Sequence, residues 1–232
     1  MAAAWFGGMR AAWGVVATRL LCWALAGLLS ERSGVIDIGL EGKMLFAAFA
    51  AGAAGAALGS TSLAVACAIG VSILLSWMHG LACVSYRGDQ VVSGIAINII
   101  AAGLTMVLGI AWFAQGGQTP PVSTEVRIQA LWPQAQDAFA NWPWLQAIVG
   151  EGLLSHNALV YLALALVPTT WWLLFKTRFG LRLRAVGENP HMVDAAGVSV
   201  HGLRYTALTL NGVLCGLAGS YLVLAQSAAF SS

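Results

Sequence analysis

Charge is what this sequence has least of. Of its 232 residues, 11 are Lys or Arg and 9 are Asp or Glu, so charged residues make up 9% of the chain. A soluble domain usually carries about a quarter charged residues. So few charges cannot cover a water-facing surface, but they suit a chain whose outside is lipid. The formal net charge of +2 is too small to indicate nucleic acid as a partner. The composition therefore predicts an integral membrane protein.

Cysteine pairs and enzymatic motifs are also missing. No two cysteines have the spacing of a zinc site or a redox pair, so we interpret them as small apolar residues packed between helices. The chain contains no Gly-x-Ser-x-Gly, no His-Glu-x-x-His and no Gly-x-x-x-x-Gly-Lys phosphate loop. We predict no catalytic centre, no cofactor and no metal, and any ATP would be bound by another subunit. The four cysteines are Cys22, Cys67, Cys83 and Cys215.

The histidines do not form a predicted metal site either. His79 lies alone in an apolar stretch, so we expect it to be packed or hydrogen-bonded. His191, Asp194 and His201 are closer together, but the two histidines are ten residues apart. We therefore predict no metal ligation by these residues.

Long apolar runs give the fold class. A membrane helix needs about 20 mainly apolar residues, and four stretches fit that length. Two shorter apolar stretches, 11–29 and 44–59, flank a polar break at residues 30–43. We predict an all-α, polytopic transmembrane helix bundle that forms one domain over residues 1–232, with a discontinuous N-terminal helix. The four predicted spans are 62–84, 90–114, 157–175 and 204–225.

Lysine and arginine set the predicted orientation, because loops rich in these residues stay cytoplasmic. The stretch 176–204 holds five of them against two acidic residues, whereas 115–156 holds one against three. We predict that residues 176–203 are cytoplasmic and that 115–156 are external, with a helix on the membrane surface. Its three tryptophans favour anchoring at the membrane–water interface over stacking on a ligand. Arg10 and Arg19 favour a cytoplasmic N-terminus, so, counting back, residues 11–59 would make one outward traverse as two helices joined at the break.

The polar break at residues 30–43 is the first place to look for function. It holds five charges and three glycines between apolar stretches. Discontinuous helices of this kind line solute paths in transporters, which makes Asp37, Glu41 and Gly42 candidates for a translocation path. An ordinary loop at the cytoplasmic surface is an equal alternative.

Two asparagines inside predicted spans are further candidates for the path. Asn98 lies in the span 90–114 and Asn211 in the span 204–225. A lone asparagine in a membrane helix more often forms a hydrogen bond to a neighbouring helix, so that role is favoured. Gly212 and Gly216, four residues apart, have the spacing of a close helix–helix contact.

A short helix is predicted in the cytoplasmic stretch. Asn189 is a good N-cap, Pro190 suits the first helical position, and Gly197 suits the residue past the end. A short exposed helix between two spans could dock into a groove of a partner protein. A plain connecting helix at the membrane interface is an equal alternative.

Three segments together resemble ABC transporter permeases of the simple-sugar and nucleoside branch, the branched-chain amino acid and ribose type. Residues 30–42 (SERSGVIDIGLEG) resemble the early signature of these permeases. Residues 89–94 (DQVVSG) resemble a second shared segment. Residues 178–190 (RFGLRLRAVGENP), followed by residues 195–197 (AAG), are similar to the third. The three segments lie in the expected order, and the resemblance reaches from about residue 17 to residue 225.

The resemblance implies a multi-pass permease of the bacterial inner membrane that performs no covalent chemistry. It implies a second permease subunit, homologous or identical, an ABC ATPase subunit that uses ATP, and an external substrate-binding protein. Nucleosides are the expected solutes, with simple sugars as the alternative. The 189–197 helix would be the coupling helix that transmits ATP-driven closure to the spans. The residues that the resemblance assigns to this coupling are Arg184, Gly187, Glu188, Asn189, Pro190, Ala195 and Gly197.

Members of this family generally continue for two or three spans beyond the one at 204–225. We therefore expect a truncated or short form, in which transport by this chain itself is in doubt. An ion-coupled secondary transporter is a rival interpretation, but it would need an ionisable relay in the later spans, and 157–175 has none. An intramembrane enzyme is a second rival, but it would need a converging set of acid, base or metal ligands.

Overall fold

The computed structural model describes residues 2–114, 116–123, 126–128, 156–227 and 229–230. The regular elements within these ranges are helices, which confirms the predicted all-α fold class. The π-helical turns Leu81–Ser85 and Leu222–Ser227 extend the helices that end at Gly80 and Tyr221, respectively. The helices are α1 (Ala2–Arg32), α2 (Leu40–Leu58), α3 (Thr61–Gly80), α4 (Gln90–Phe113), α5 (Ala158–Lys176), α6 (Arg178–Glu188), α7 (Pro190–Ala195) and α8 (Val200–Tyr221).

Four of the described helices are long and apolar enough to cross a membrane. They are Thr61–Ser85, Gln90–Phe113, Ala158–Lys176 and Val200–Gln226, counted with their π-helical turns. The first, second and third expose most of their surface in this chain, whereas the fourth is largely buried. The polytopic helix bundle is therefore built around α8.

Small residues let the neighbouring helices approach α8 closely. A Cβ added to Gly212 would stand 2.8 Å from the Ile73 Cα, and one added to Gly216 would stand 2.5 Å from the Ile69 Cα. Only glycine fits at such distances, so the predicted close contact of Gly212 and Gly216 is confirmed and its partner is α3. In lipid, this close packing of backbones takes the place of the hydrophobic effect between helices.

Helix α1 runs antiparallel to α8. At one end, the Arg204 Nε donates a hydrogen bond to the Ser33 carbonyl oxygen at 3.3 Å. Toward the other end, Cys22 packs in one cluster with Ala218. Residue numbers therefore rise along α1 as they fall along α8.

Helix α2 runs parallel to α8 and begins halfway along it. A Cβ added to Gly219 would come within 2.6 Å of the Met44 carbonyl oxygen, and one added to Gly52 would come within 3.4 Å of Val223. Residue numbers thus rise together along the two helices. Between α1 and α2, residues 33–39, which we call the 33–39 segment, turn the chain back into the bundle.

The predicted single outward traverse by residues 11–59 is therefore wrong. With the basic stretch 176–204 on the cytoplasmic side, α8 and α2 run outward and α1 runs inward. The 31 residues of α1 extend about 46 Å at 1.5 Å per residue, so this helix is long enough to cross a membrane alone. Gly34, with φ +77°, reverses the chain after α1. The Val35 amide donates to the Ser30 carbonyl at 3.2 Å, as in a Schellman motif.

Much of the predicted external segment 115–156 lies outside the described residues, and so do Trp132, Trp142, Trp144 and the predicted surface helix. The described part packs against the outer ends of the bundle. The Ile128 amide donates to the Leu224 carbonyl at 3.1 Å. Ile128 thus joins this segment to the end of the helix that continues from α8.

Candidate functional site

The polar break of the sequence is buried in the bundle on one side and exposed on the other. Along the 33–39 segment, Val35, Asp37 and Gly39 are buried, while Ile36 and Ile38 are exposed. This alternation is what an extended chain gives, because successive side chains point to opposite sides. The surface-loop alternative is thereby contradicted for Asp37, whose side chain is 0% exposed.

A buried ion pair holds the 33–39 segment to the start of α2. The Lys43 Nζ donates to the Asp37 Oδ2, and both side chains are fully enclosed. The other carboxylate oxygen, Oδ1, accepts a hydrogen bond from the Gly39 amide at 3.1 Å. Buried charges persist in proteins when they are paired and hydrogen-bonded in this way. The sequence analysis selected Asp37 but missed Lys43.

His79 joins this pair to two more helices. Its Nδ1 lies 3.0 Å from the Ser93 Oγ of α4, and its Nε2 lies 3.2 Å from the Ile36 carbonyl oxygen. The same Nε2 is 3.9 Å from the Asp37 Oδ1. The prediction of a hydrogen-bonded histidine is therefore confirmed. A lone histidine in an apolar run indicates that its side chain makes a polar contact. The sequence does not identify the partners, because they belong to other segments of the chain.

Asn98 satisfies the exposed backbone groups at the start of α2. Its Oδ1 accepts a hydrogen bond from the Gly42 amide at 2.8 Å, and its Nδ2 donates to the Ile38 carbonyl at 3.2 Å. The N-cap residue of α2 is Gly39, which has no side chain that could accept a hydrogen bond from the free amides of the first turn. A Cβ on Gly42 would stand 2.7 Å from the Asn98 Cα, so this position needs glycine.

The predicted path residues therefore fall into three places. Asp37, Gly42 and Asn98 form one cluster at the start of α2. Glu41, in contrast, is exposed on the other side of α2 and lines a cavity of about 320 Å³ with residues of α1.

Asn211 lies elsewhere, between three helices. Its Nδ2 donates to the Ala26 carbonyl of α1 at 3.0 Å and lies 3.3 Å from the Ser30 Oγ. Its Oδ1 accepts from the Ser76 Oγ of α3 at 3.4 Å. The side chain is fully buried, which is the interhelical arrangement that the sequence favoured over a place in the path.

The short helix predicted after Asn189 is present as α7, while its cytoplasmic location stays a prediction. The Asn189 Oδ1 accepts a hydrogen bond from the Met192 amide at 3.2 Å, and Pro190 occupies the first helical turn. Gly197, with φ +77°, follows the end of the helix, and the Val198 amide closes it on the Val193 carbonyl at 3.2 Å. None of the residues of α7 is buried, and His191, Met192, Asp194 and Ala195 are exposed, so most of its surface is available to another molecule.

The sequence analysis missed α6, which leads into α7. The Thr177 Oγ1 caps it by accepting from the Gly180 amide at 3.1 Å. Leu183 and Val186 are buried on one face, while Leu181 is exposed. A threonine followed by apolar residues at helical spacing was a usable signal for this amphipathic helix.

The end of α6 contacts the 33–39 segment directly through Gly187. A Cβ on Gly187 would stand 2.5 Å from the Arg32 carbonyl oxygen and 3.3 Å from the Gly34 amide nitrogen. Among the other predicted coupling residues, Arg184 lies over the Phe175 ring at 4.9 Å, while Glu188 and Ala195 are exposed. The cytoplasmic stretch and the polar break, which the sequence treats as separate features, therefore touch.

The comparison with known proteins gives a family and several relatives. The family described as branched-chain amino acid transport system, permease component, matches residues 9–232. A putative glucose ABC transporter permease protein of Haloferax volcanii is 35% identical over 211 residues, which are 91% of this chain and 61% of that protein. A guanosine ABC transporter permease protein of Bacillus subtilis is 37% identical over 213 residues, 88% of this chain and 63% of that protein.

A nucleoside ABC transporter permease protein of Lactococcus lactis is 34% identical over 228 residues, 94% of this chain and 67% of that protein. The chain thus spans 61–67% of the length of these three relatives. No solved structure matches it. The family match covers nearly the whole chain and confirms the resemblance found in the three sequence segments. This multi-pass protein of the inner (plasma) membrane therefore belongs to the branched-chain amino acid transport system permease family, whose members are transport subunits.

Proposed function

We propose that this chain is a permease subunit of an ATP-driven importer for nucleosides. The observation that carries the proposal is the contact of Gly187 with Arg32 and Gly34. This contact joins an exposed, capped helix, α7, to the polar break, one side of which is buried in the bundle. A partner that binds α7 would therefore act on the interior of the membrane domain without a flexible linker in between.

The ATP would be bound and hydrolysed by a separate ATPase subunit. The sequence holds no phosphate-binding glycine loop, so the energy must enter through a protein contact. Helix α7 suits this contact, because Met192 is 71% exposed at its centre. An exposed apolar side chain on a short rigid helix is a suitable anchor for a groove in a partner.

Two more partners complete the proposed importer. A second permease subunit, homologous or identical, would cover the large exposed apolar faces of α4 and α5 that lipid does not cover. An external substrate-binding protein would deliver the solute to the outer ends of the helices. The coupling between ATP binding and solute release is then a free energy shared between two distinct sites.

The proposed solute class rests on the relatives. Two of them are named for guanosine and for nucleosides, at 37% and 34% identity. A third is named for glucose at 35% identity, so simple sugars are the second candidate. Competition between the two solute classes in an uptake assay decides between them.

The first experiment is an affinity purification of the tagged chain from its native membrane, followed by mass spectrometry. We expect recovery of an ABC ATPase and of a second permease. The purified complex should accumulate labelled guanosine in proteoliposomes when ATP is supplied, and excess glucose should not compete. Recovery of the chain alone would overturn the proposal, and competition by glucose would replace nucleosides with sugars.

The coupling contact is tested by Gly187→Leu in the same complex. The added side chain cannot fit against Arg32, so α6 must move away from the 33–39 segment. We expect membrane insertion to persist while solute stimulation of the ATPase falls about 5- to 150-fold, the usual range of a coupling between sites. Gly70→Leu, on α3, is the matched control, because a Cβ there meets nothing within 4 Å. Full stimulation in the Gly187 variant would contradict the assigned coupling contact.

A further inference from the structure

Two charged side chains lie on the outer surface of α1 and α2, away from the buried Asp37–Lys43 pair. Glu41 is exposed and Arg19 is half-buried. Both line a cavity of about 320 Å³ together with Leu20, Trp23 and Met44. Among the described residues no ion pair joins Arg19 to Glu41. Their hydrogen-bonding groups are therefore directed to something other than each other.

Both charges lie at the depth of the hydrocarbon core. The span Val200–Gln226 has its midpoint at residue 213. Met44 is level with Gly219, so Glu41 is level with residue 216, about 5 Å from the midpoint at 1.5 Å per residue. Cys22 is level with Ala218, and α1 is antiparallel, so Arg19 lies about 12 Å from the midpoint. The core extends about 15 Å to each side.

A charge at this depth faces either the interior of a bundle or a water-filled cavity. Arg19 could reach the external headgroups, because its long side chain leans toward the start of α1. Glu41 cannot do the same, because it stands near the midpoint on a short side chain that leans along α2 toward the cytoplasm. This face of α1 and α2 is therefore not a lipid contact, and it faces either another part of the assembled transporter or a water-filled cavity.

We propose that Arg19, Trp23 and Glu41 form a solute-binding site for a nucleoside on the translocation path. The proposal rests on the permease function proposed above and assigns its substrate contacts. The Trp23 side chain, 39% exposed, offers a flat face on which a nucleobase can stack. The Glu41 carboxylate accepts hydrogen bonds from ribose hydroxyls, and the Arg19 guanidinium donates to carbonyl oxygens of the base.

The size of the cavity agrees with this assignment. Its volume of about 320 Å³ lies at the lower end of the range for small-molecule sites, roughly 300–1,000 Å³. Its walls are apolar with a few converging polar groups, which is the usual composition of such sites. The remaining wall would come from the surface that faces α1 and α2 in the assembled transporter.

The test is the reactivity of single cysteines toward a membrane-impermeant, cationic methanethiosulfonate reagent in native membranes. The background carries Cys67→Ala, because Cys67 is exposed while the other three native cysteines are buried. The reporters are Glu41→Cys and Trp23→Cys. The control is Leu164→Cys, which is 53% exposed on α5 beside Ala163, at the depth of Cys22.

We expect both reporters to react at least about tenfold faster than Leu164→Cys, because the reacting thiolate forms only where water is present. Guanosine should slow by severalfold the modification of a third reporter, Leu20→Cys, which lines the cavity, is 47% exposed and has no proposed solute contact, and glucose should not. A reporter rate as slow as that of Leu164→Cys would overturn the aqueous site. Fast reaction without protection by guanosine would overturn the nucleoside assignment, and protection by glucose alone would replace it with a sugar.

Uptake by the purified complex gives a second, independent readout. Trp23→Ala should raise the guanosine concentration for half-maximal uptake about 5- to 100-fold, as expected for loss of one stacking contact. Trp171→Ala, at a tryptophan 53% exposed on α5, should leave it unchanged. An unchanged value for Trp23→Ala contradicts the binding site. Failure to recover an ATPase would instead contradict the proposed importer, while the cysteine reactivities would still decide whether the cavity is aqueous.

Discussion

The buried pair of Asp37 and Lys43 gives the sharpest prediction of stability. Lys43→Met removes the cation and leaves the Asp37 carboxylate enclosed with the Gly39 amide as its remaining close donor. Asp37→Asn does the opposite and leaves an enclosed ammonium group. Breaking a buried pair from one side costs about 3–5 kcal/mol, because the remaining charge has lost its compensation.

This cost translates into a large change in thermal stability. For a chain of this size, 1 kcal/mol corresponds to roughly 2–4 °C, so each single variant should melt about 6–20 °C below the parent protein. The double variant Asp37→Asn/Lys43→Met carries no buried charge. Replacing a whole buried pair by well-packed hydrophobic residues of similar volume is often neutral. Asn and Met are uncharged and close in volume to Asp and Lys, so we expect the double variant to recover most of the loss.

The assay is size-exclusion chromatography of the detergent-solubilised, fluorescently tagged protein after heating over a temperature series. Glu41→Gln serves as the control on the same helix, because its side chain is exposed and its loss should change stability by less than about 0.5 kcal/mol. If the double variant melts as low as the sum of the two single variants, the two side chains do not interact, and the ion pair assigned here is refuted.

Two further predictions concern Asn98 and Asn211. Asn98→Ala removes both hydrogen bonds to the start of α2 and should cost about 0.5–2 kcal/mol, as the loss of a helix cap does; Asn98→Asp, which keeps the acceptor for the Gly42 amide, should cost less, and equal losses would contradict the capping role. Asn211→Leu removes three interhelical contacts worth about 0.6 kcal/mol each, so the melting temperature should fall by a few degrees. An unchanged melting temperature would mean that Asn211 does not join the helices.

Hydropathy alone was enough to predict the membrane helices. The four long apolar runs each became a helix, because a span of about 20 apolar residues has few other ways to satisfy its backbone in lipid. The direction of α1 could not be found in this way. Its apolar run, 11–29, has a length that suits either part of one traverse shared with residues 44–59 or a complete traverse of its own. The charges of Arg10 and Arg19 favoured the shared outward traverse, which is wrong. The turn at Gly34 decided it, through a Schellman motif that residue types alone only suggest.

The sequence likewise predicted some residues of the candidate site but not how they are grouped. Asp37, Gly42 and Asn98 could be selected by residue type, because polar groups in a membrane span need partners. Their grouping could not, because Gly42 and Asn98 are 56 residues apart and meet only in the folded bundle. Lys43 was overlooked because a lysine next to a glycine-rich break looks like an ordinary loop charge. Trp23 was overlooked because a single tryptophan in an apolar run is normal.

The contacts from the cytoplasmic helix to Glu41 form one continuous path. Gly187 touches Arg32 and Gly34, and the 33–39 segment that follows is fixed to α2 by the Asp37–Lys43 pair. Close-packed interiors transmit displacements instead of absorbing them. A partner that moves α7 would therefore move the start of α2, and Glu41 lies in its first turn. Helix α2 thus carries both Lys43, the buried charge through which the 33–39 segment would displace it, and Glu41, the exposed charge that faces the proposed solute. A displacement of α7 would in this way reach the proposed solute site.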